Sequence, residues 1–167
     1  TLGDTTNAEK WLNTDSGRSC ITPRTHEKGR TLRLSVRFFP IKEKIPNSDS
    51  KILLQNYYDY LFESTWNKHC ILFSNSKGEV EENIAHLKKI AAEKHLPANY
   101  LVHHANISPA LREFTEQKMR TAEQPVCTGA TVTLELGIDL GKLERIVQTG
   151  CPLTVSGLVQ RLGRTGR

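Results

Sequence analysis

A mainly parallel α/β sheet with helices on both faces is the fold class the sequence predicts, and three features predict it. Short apolar runs suited to buried strands recur at residues 70–74, 100–103, 125–127 and 145–148. Between them lie stretches whose apolar residues fall at helical spacing, and strands alternating with helices pack as a parallel sheet covered on both sides. Turn-forming residues such as Asn75-Ser76-Lys77-Gly78 and Ser108-Pro109 stand where runs and stretches meet.

The length of 167 residues fits one domain of ordinary size. Hydrophobic residues make up 37% and charged residues 25%, a soluble composition that excludes disordered and membrane-spanning classes. No apolar run spans a bilayer and no leader opens the chain, so a cytoplasmic location without a membrane partner is expected. Cys20, Cys70, Cys127 and Cys151 form no CxxC pair, which indicates neither a zinc site nor a disulfide framework. Cys70 and Cys127, in apolar runs, read as buried, inert thiols. The formal net charge of +5 permits a polyanionic partner. Its distribution is more informative: residues 145–167 hold four arginines and no acidic residue.

Taken in order, residues 1–30 are polar, punctuated by Gly3, Gly17, Pro23 and Gly29, and read as connecting material. Leu32, Leu34, Val36 and Phe38 alternate with Arg33, Ser35 and Arg37, which predicts a first strand with one polar face. Pro40 and Pro46 break the chain before a helix on which Leu54, Tyr57, Tyr58, Leu61, Phe62 and Thr65 form a core-packing stripe. After the strand at residues 70–74, Ser76 and Glu79 have capping-box spacing, and Val80, Ile84, Leu87 and Ala91 give the next helix its apolar face. The strand at residues 100–103 leads to Ser108-Pro109, the chemistry of a helix start. His103 and His104 lack nearby acidic ligands at metal spacing, so no metal site is expected. Arg112 is spaced to pair with Glu116 one turn on. After Pro125-Val126-Cys127, which leads into a fourth strand, and a fifth strand at residues 145–148, Val155, Leu158, Val159 and Leu162 mark the apolar side of a last helix, and Gly163 suits a left-handed cap that stops it.

Two segments carry chemistry. The chain closes on Gln160-Arg161-Leu162-Gly163-Arg164-Thr165-Gly166-Arg167, where arginines recur every third residue with glycines between them. A guanidinium is a fixed, always charged fork suited to phosphoryl oxygens, and arginines reaching a nucleotide from outside its pocket stabilise charge in phosphoryl transfer. On its own this octet also reads as a solvated helix end whose cations face the dipole. The second segment, Ala130-Thr131-Val132-Thr133-Leu134-Glu135-Leu136-Gly137-Ile138-Asp139-Leu140-Gly141, lies between two predicted strands. Together the two resemble motifs V and VI of superfamily 2 helicases, and Gln160 with the Leu-Glu-Leu-Gly-Ile-Asp run resembles the large-helicase-related and DEAH-like branches more than the typical DEAD-box pattern, which has histidine there.

That resemblance, over residues 31–167, implies a RecA-like three-layer α/β sandwich, the second motor domain of an ATP-dependent helicase, with residues 1–30 a linker from a first RecA-like domain. Thr1-Leu2-Gly3-Asp4 resembles the end of motif III, and the family pattern is expected to continue beyond Arg167. By the same resemblance Arg164 and Arg167 reach the γ-phosphate, Gln160 sits beside the triphosphate, and Gly137 and Asp139 belong to the nucleotide-binding loop, with Asp139 accepting from the ribose. Ser74, Ser76 and Thr131 contact the backbone of the tracking strand, and His104, Ser108 and Arg112 line the strand-binding face. Ser76 can also serve as a helix cap, and the two roles are compatible. The sequence has no G-x-x-x-x-G-K-[ST] phosphate loop and no metal box, so ATP and Mg²⁺ are expected to bind chiefly on the first domain, with DNA or RNA as the other partner. The alternative is a RecA-like module that binds nucleic acid or protein without catalysis. A Rossmann-type cofactor enzyme is excluded by the lack of a G-x-G-x-x-G turn.

Overall fold

Four parallel strands run in the order β2-β3-β1-β4 in the computed structural model, with β1 at Cys70–Phe73, β2 at Tyr100–His103, β3 at Cys127–Ala130 and β4 at Arg145–Gln148. The structure describes residues 5–14, 33–40, 49–121, 123–134 and 140–165. Cys70 stands opposite Cys127 on one side and Arg145 on the other, so all three strands start level and end level. Their carboxyl ends therefore present the following loops along one edge of the sheet.

Helices α2 (Asp49–Thr65) and α3 (Lys77–Glu93) cover one face. Tyr58, Leu61 and Phe62 pack there with Ile84, Leu87 and Ala91 over Cys70, Leu72 and Cys127. Helix α4 (Pro109–Thr121) covers the other face, where Met119 joins Ile71, Phe73, Val126 and Ala130. The stripes expected on α2 and α3 are thus the ones that pack, except that Leu54 at the open end of α2 is exposed. Stepping from β1 outward to β2 through α3, and back inward to β3 through α4, puts successive helices on opposite faces, as right-handed crossovers require.

Gly129 makes this packing possible. A Cβ there would lie 2.6 Å from Ile84 Cγ1 and 3.0 Å from Val80 Cγ1, so α3 lies on bare backbone of β3. Gly129→Ala is expected to cost about 1–3 kcal/mol by overpacking, read by chemical denaturation; truncating Ile84 in the same chain should return part of that loss.

Cys70 and Cys127 are buried and free. The adjacent Cys70 thiol, together with burial, holds the Cys127 thiol well above its ordinary value, so it is no ready nucleophile. At the same amino edge of the sheet, the backbone N–H of His69 donates to Glu144 and, with Lys68, holds that carboxyl below its usual range.

Three expectations need correction. Residues 33–40 alternate as a strand would, yet none of them joins a ladder among the described residues, and Leu34, Val36 and Phe38 are 69%, 83% and 87% exposed. Period two requires only that two faces differ; a strand also needs a neighbouring edge for its backbone groups. Phe39 instead packs on Tyr57 and Tyr60 at ring distances of 5.5 and 5.4 Å. Second, the stretch read as connecting material contains helix α1 (Thr5–Asn13), with Thr14 Oγ1 donating to Lys10 O. Residues 1–35 form a unit apart from residues 36–167.

The third correction concerns α5 (Val155–Leu162). Its inward face is Gly157 and Arg161, while Val155 and Val159 are 79% and 41% exposed. Gly163 caps it with φ −65°, a right-handed conformation. The chain leaves through further right-handed turns, Arg164 N–H to Arg161 O and Thr165 N–H to Leu162 O, and Thr165 bridges to Leu143. A left-handed cap would turn it away from that bridge.

Candidate functional site

Three loops meet at the carboxyl edge of the sheet: the β1–α3 loop, the segment after β3, and the β4–α5 loop. Open α/β sheets bind ligands there, where strand order reverses around the central strand.

The β1–α3 loop divides its work among three residues. Ser76 caps α3, its Oγ accepting from Glu79 N at 3.2 Å, while the Glu79 carboxylate accepts from Asn75 N. This is the expected capping box shifted by one residue on its return bond. Ser76 remains exposed. Ser74, by contrast, is fully buried, and its Oγ lies 2.8 Å from Thr149 Oγ1 and accepts from Asn83 Nδ2. Asn75 Nδ2 donates to Cys151 O at 2.9 Å.

After β2, the two histidines are buried rather than presented. His103 Nδ1 meets Thr133 Oγ1 and Nε2 meets Glu116, both at 2.9 Å. The Glu116 carboxylate is therefore taken up by His103, and Arg112 forms no ion pair with it. His104 Nδ1 accepts from Asn106 N, which places its proton on Nε2, 2.9 Å from Glu81. Ser108 Oγ accepts from Leu111 N, the expected cap of α4. Ser108 is exposed and Arg112 half-buried; the Arg112 backbone N–H donates to Ser108 O at 3.1 Å, while its guanidinium makes no ion pair with Glu116. Thr131 is half-buried just before the 3₁₀ turn Val132–Leu134, whose Leu134 is anchored in the core.

On the far side of β1, α5 is capped by Thr154, whose Oγ1 accepts from Gly157 N at 3.0 Å. Arg161 is 3% exposed, its guanidinium 4.8 Å from the Phe73 ring centroid and its Nη1 donating to Gln148 Oε1. Gln148 Nε2 donates in turn to Thr149 O and Gly150 O. The first arginine of the terminal repeat is therefore an internal anchor that sequence reading missed; the phenylalanine ending β1 was its available signal. Gln160 and Arg164, on either side of it, are half-buried. Gly137, Asp139 and Arg167 lie outside the described residues, as do Thr1, Cys20 and Gly166.

The structure thus brings Ser74, Ser76, Gln160 and Arg164 onto elements that meet around β1 and β4, with His104, Ser108 and Arg112 beyond β2. Among the described residues no group of three or more His, Cys, Asp or Glu could hold a metal ion. The donor set of arginines, hydroxyls and helix N-terminal amides suits phosphate oxygens.

The four-stranded parallel sheet with helices on both faces is that of a RecA-like α/β domain. The chain belongs to the helicase conserved C-terminal domain family, matching it over residues 50–167. It is 29% identical to the ATP-dependent helicase Lhr-Core of Methanocaldococcus jannaschii over 169 residues, covering 99% of this chain and 19% of that protein. The Lhr-Core helicase of Methanothermobacter thermautotrophicus is 33% identical over 96 residues, 58% of this chain and 11% of that one. Among solved structures, the Mycobacterium smegmatis helicase Lhr bound to ssDNA and AMP-PNP superposes with a TM-score of 0.60 at 26% identity, over 73% of this chain and 16% of its own. The chain spans less than a fifth of the curated relatives it matches. No described helix is long and apolar enough to cross a membrane.

Proposed function

We propose that this chain is the second motor domain of an ATP-dependent DNA or RNA helicase or translocase of superfamily 2, large-helicase-related and DEAD/DEAH-type, acting in the cytoplasm. The observation that carries the reading is α5: Arg161 is locked inside against Phe73 and Gln148, which fixes the helix at the end of β4 and sets where Arg164, one turn later, leaves it. Residues 1–30 then serve as the linker from a first RecA-like domain that carries the phosphate loop, and residues 31–167 as the motor domain.

In this reading Arg164 and Arg167 approach the γ-phosphate across the interdomain cleft, Gln160 lies beside them, and Asp139 with Gly137 meets the ribose. ATP with Mg²⁺, held chiefly by the first domain, supplies the phosphoryl group to be transferred. Closure and release of the cleft move the strand-binding surface. Ser76, Thr131, Ser108 and Arg112 touch the strand backbone, while buried Ser74 and His104 support the loops from behind. Backbone-directed contacts carry little base information and suit a motor that must cross any sequence.

Titrating unrelated single-stranded oligonucleotides across a salt series tests the binding half of this function. Affinity should be similar for all of them and fall by about an order of magnitude or more between about 50 and 200 mM salt, as counterions are released. Strong sequence preference with flat salt dependence would contradict it.

A further inference from the structure

We propose that Asn75 and Thr149 are positioning residues that lock the β1–α3 loop to the β4–α5 loop, so that a strand held at Ser76 sets the placement of the arginines beyond α5; this rests on the function proposed above. The lock consists of hydrogen bonds that run directly between the end of β1 with its loop and the β4–α5 loop. Thr149 N–H donates to Phe73 O at 2.9 Å, and Asn75 Nδ2 donates to Cys151 O at 2.9 Å. Between them lies a polar relay whose donors and acceptors follow in one order. Tyr57 O–H donates to Asn83 Oδ1 (3.2 Å), Asn83 Nδ2 to Ser74 Oγ (3.2 Å), Ser74 O–H to Thr149 Oγ1 (2.8 Å) and Thr149 O–H to Phe73 O (3.2 Å).

The relay crosses four elements, α2, α3, the end of β1 and the end of β4, and its middle members Ser74 and Asn83 are 0% and 5% exposed. Burial raises the Tyr57 phenol above its ordinary value, which keeps it a donor. A satisfied buried network of this kind is rigid, because breaking any bond strands a partner away from water. Gly150 closes the other side. Its φ is +72°, and a Cβ there would stand 3.1 Å from Asn75 Nδ2, so the two loops are in contact at side chain and backbone alike. Only Pro152 and Leu153 separate the carbonyl held by Asn75 from the Thr154 cap of α5. With so short a tether, a shift of the Ser76 loop is passed to the helix that carries the arginines.

The test uses the full-length protein and three variants: Thr149→Val, Asn75→Ala and Thr149→Ser. Unstimulated ATP turnover, and strand affinity without nucleotide, should stay within about twofold of the parent. Stimulation of turnover by single strands should fall about fivefold or more in Thr149→Val and Asn75→Ala. Thr149→Ser, which keeps the hydroxyl, should retain it. Parental stimulation in both altered loops overturns the proposal, and so does a loss that merely follows weakened strand binding or that Thr149→Ser shares. Asn75 is exposed, so Asn75→Ala decides the matter alone if Thr149→Val lowers the melting temperature. A parent protein that strands do not stimulate would sink the proposed function itself, before any variant is compared.

Discussion

Arg164→Lys in the full-length protein should lower strand-stimulated ATP turnover by about 10³- to 10⁵-fold, the range associated with arginines that stabilise a transferring phosphoryl group. Lysine keeps the charge but loses the planar fork and its fixed donors, so the change separates geometry from electrostatics. Arg167→Lys should behave alike. Arg145→Lys is the control: it lies in the same acid-free stretch, exposed on β4, where its Nη1 donates to Ser64 O at 3.0 Å. If the terminal arginines only face a helix dipole, their replacement changes stability by about 0.3–1 kcal/mol and leaves turnover almost unchanged. Near-parental turnover in both Arg164→Lys and Arg167→Lys, with intact melting, would refute the assignment.

Phe73→Ala should be the most destabilising single change in the described core, at about 3–5 kcal/mol. Phe73 is fully buried at the end of the central strand, and its ring is the surface on which the Arg161 guanidinium rests. Truncation removes the packing of a large side chain and leaves a buried cation beside a cavity. Phe73→Leu separates the two losses, because it fills most of the volume and removes the π face. A desolvated cation–π contact can be worth about 2 kcal/mol, so Leu should fall between the parent and Ala. Urea unfolding with an unchanged m-value measures both. A loss below about 1 kcal/mol for Phe73→Ala would show that α5 does not depend on this ring.

Much of the fold was legible because its signals are local. The apolar runs at residues 70–74, 100–103 and 145–148 become β1, which ends one residue early at Phe73, β2 and β4, and the Ser76 and Ser108 caps start α3 and α4 where their side-chain chemistry indicates. What failed depended on neighbours that no periodicity names. The alternation of residues 33–38 describes two faces but supplies no adjoining strand. Hydropathy assigned Val155 and Val159 to the inside of α5, whereas Arg161 took that place because a phenyl ring and the Gln148 carbonyl oxygen accept it there.

The candidate site reads from the sequence as a set of loops and less so as a set of exposed atoms. Ser76, Ser108 and Arg112 stand at the surface or near it, but Ser74 and His104, read as strand contacts, are buried with their polar atoms bound internally. A serine or histidine at a strand end looks the same in sequence whether it meets a ligand or braces the loop that does. The difference lies in partners such as Asn83 and Glu81, which come from α3. Asn83 and Thr149 belong to no motif quoted from the sequence, Asn75 reads there only as a turn former, and long-range hydrogen bonding singles out all three.

The function proposed for this domain is to complete an ATPase whose nucleotide cradle lies elsewhere in the protein. Its most direct test is Mg²⁺-dependent ATP hydrolysis by the 167-residue chain and by the full-length protein, side by side, with and without single-stranded nucleic acid. The chain alone should show no turnover above background, and the full-length protein should show strand-stimulated turnover. Robust turnover by the chain alone, or none by the full-length protein with strand present, would contradict it.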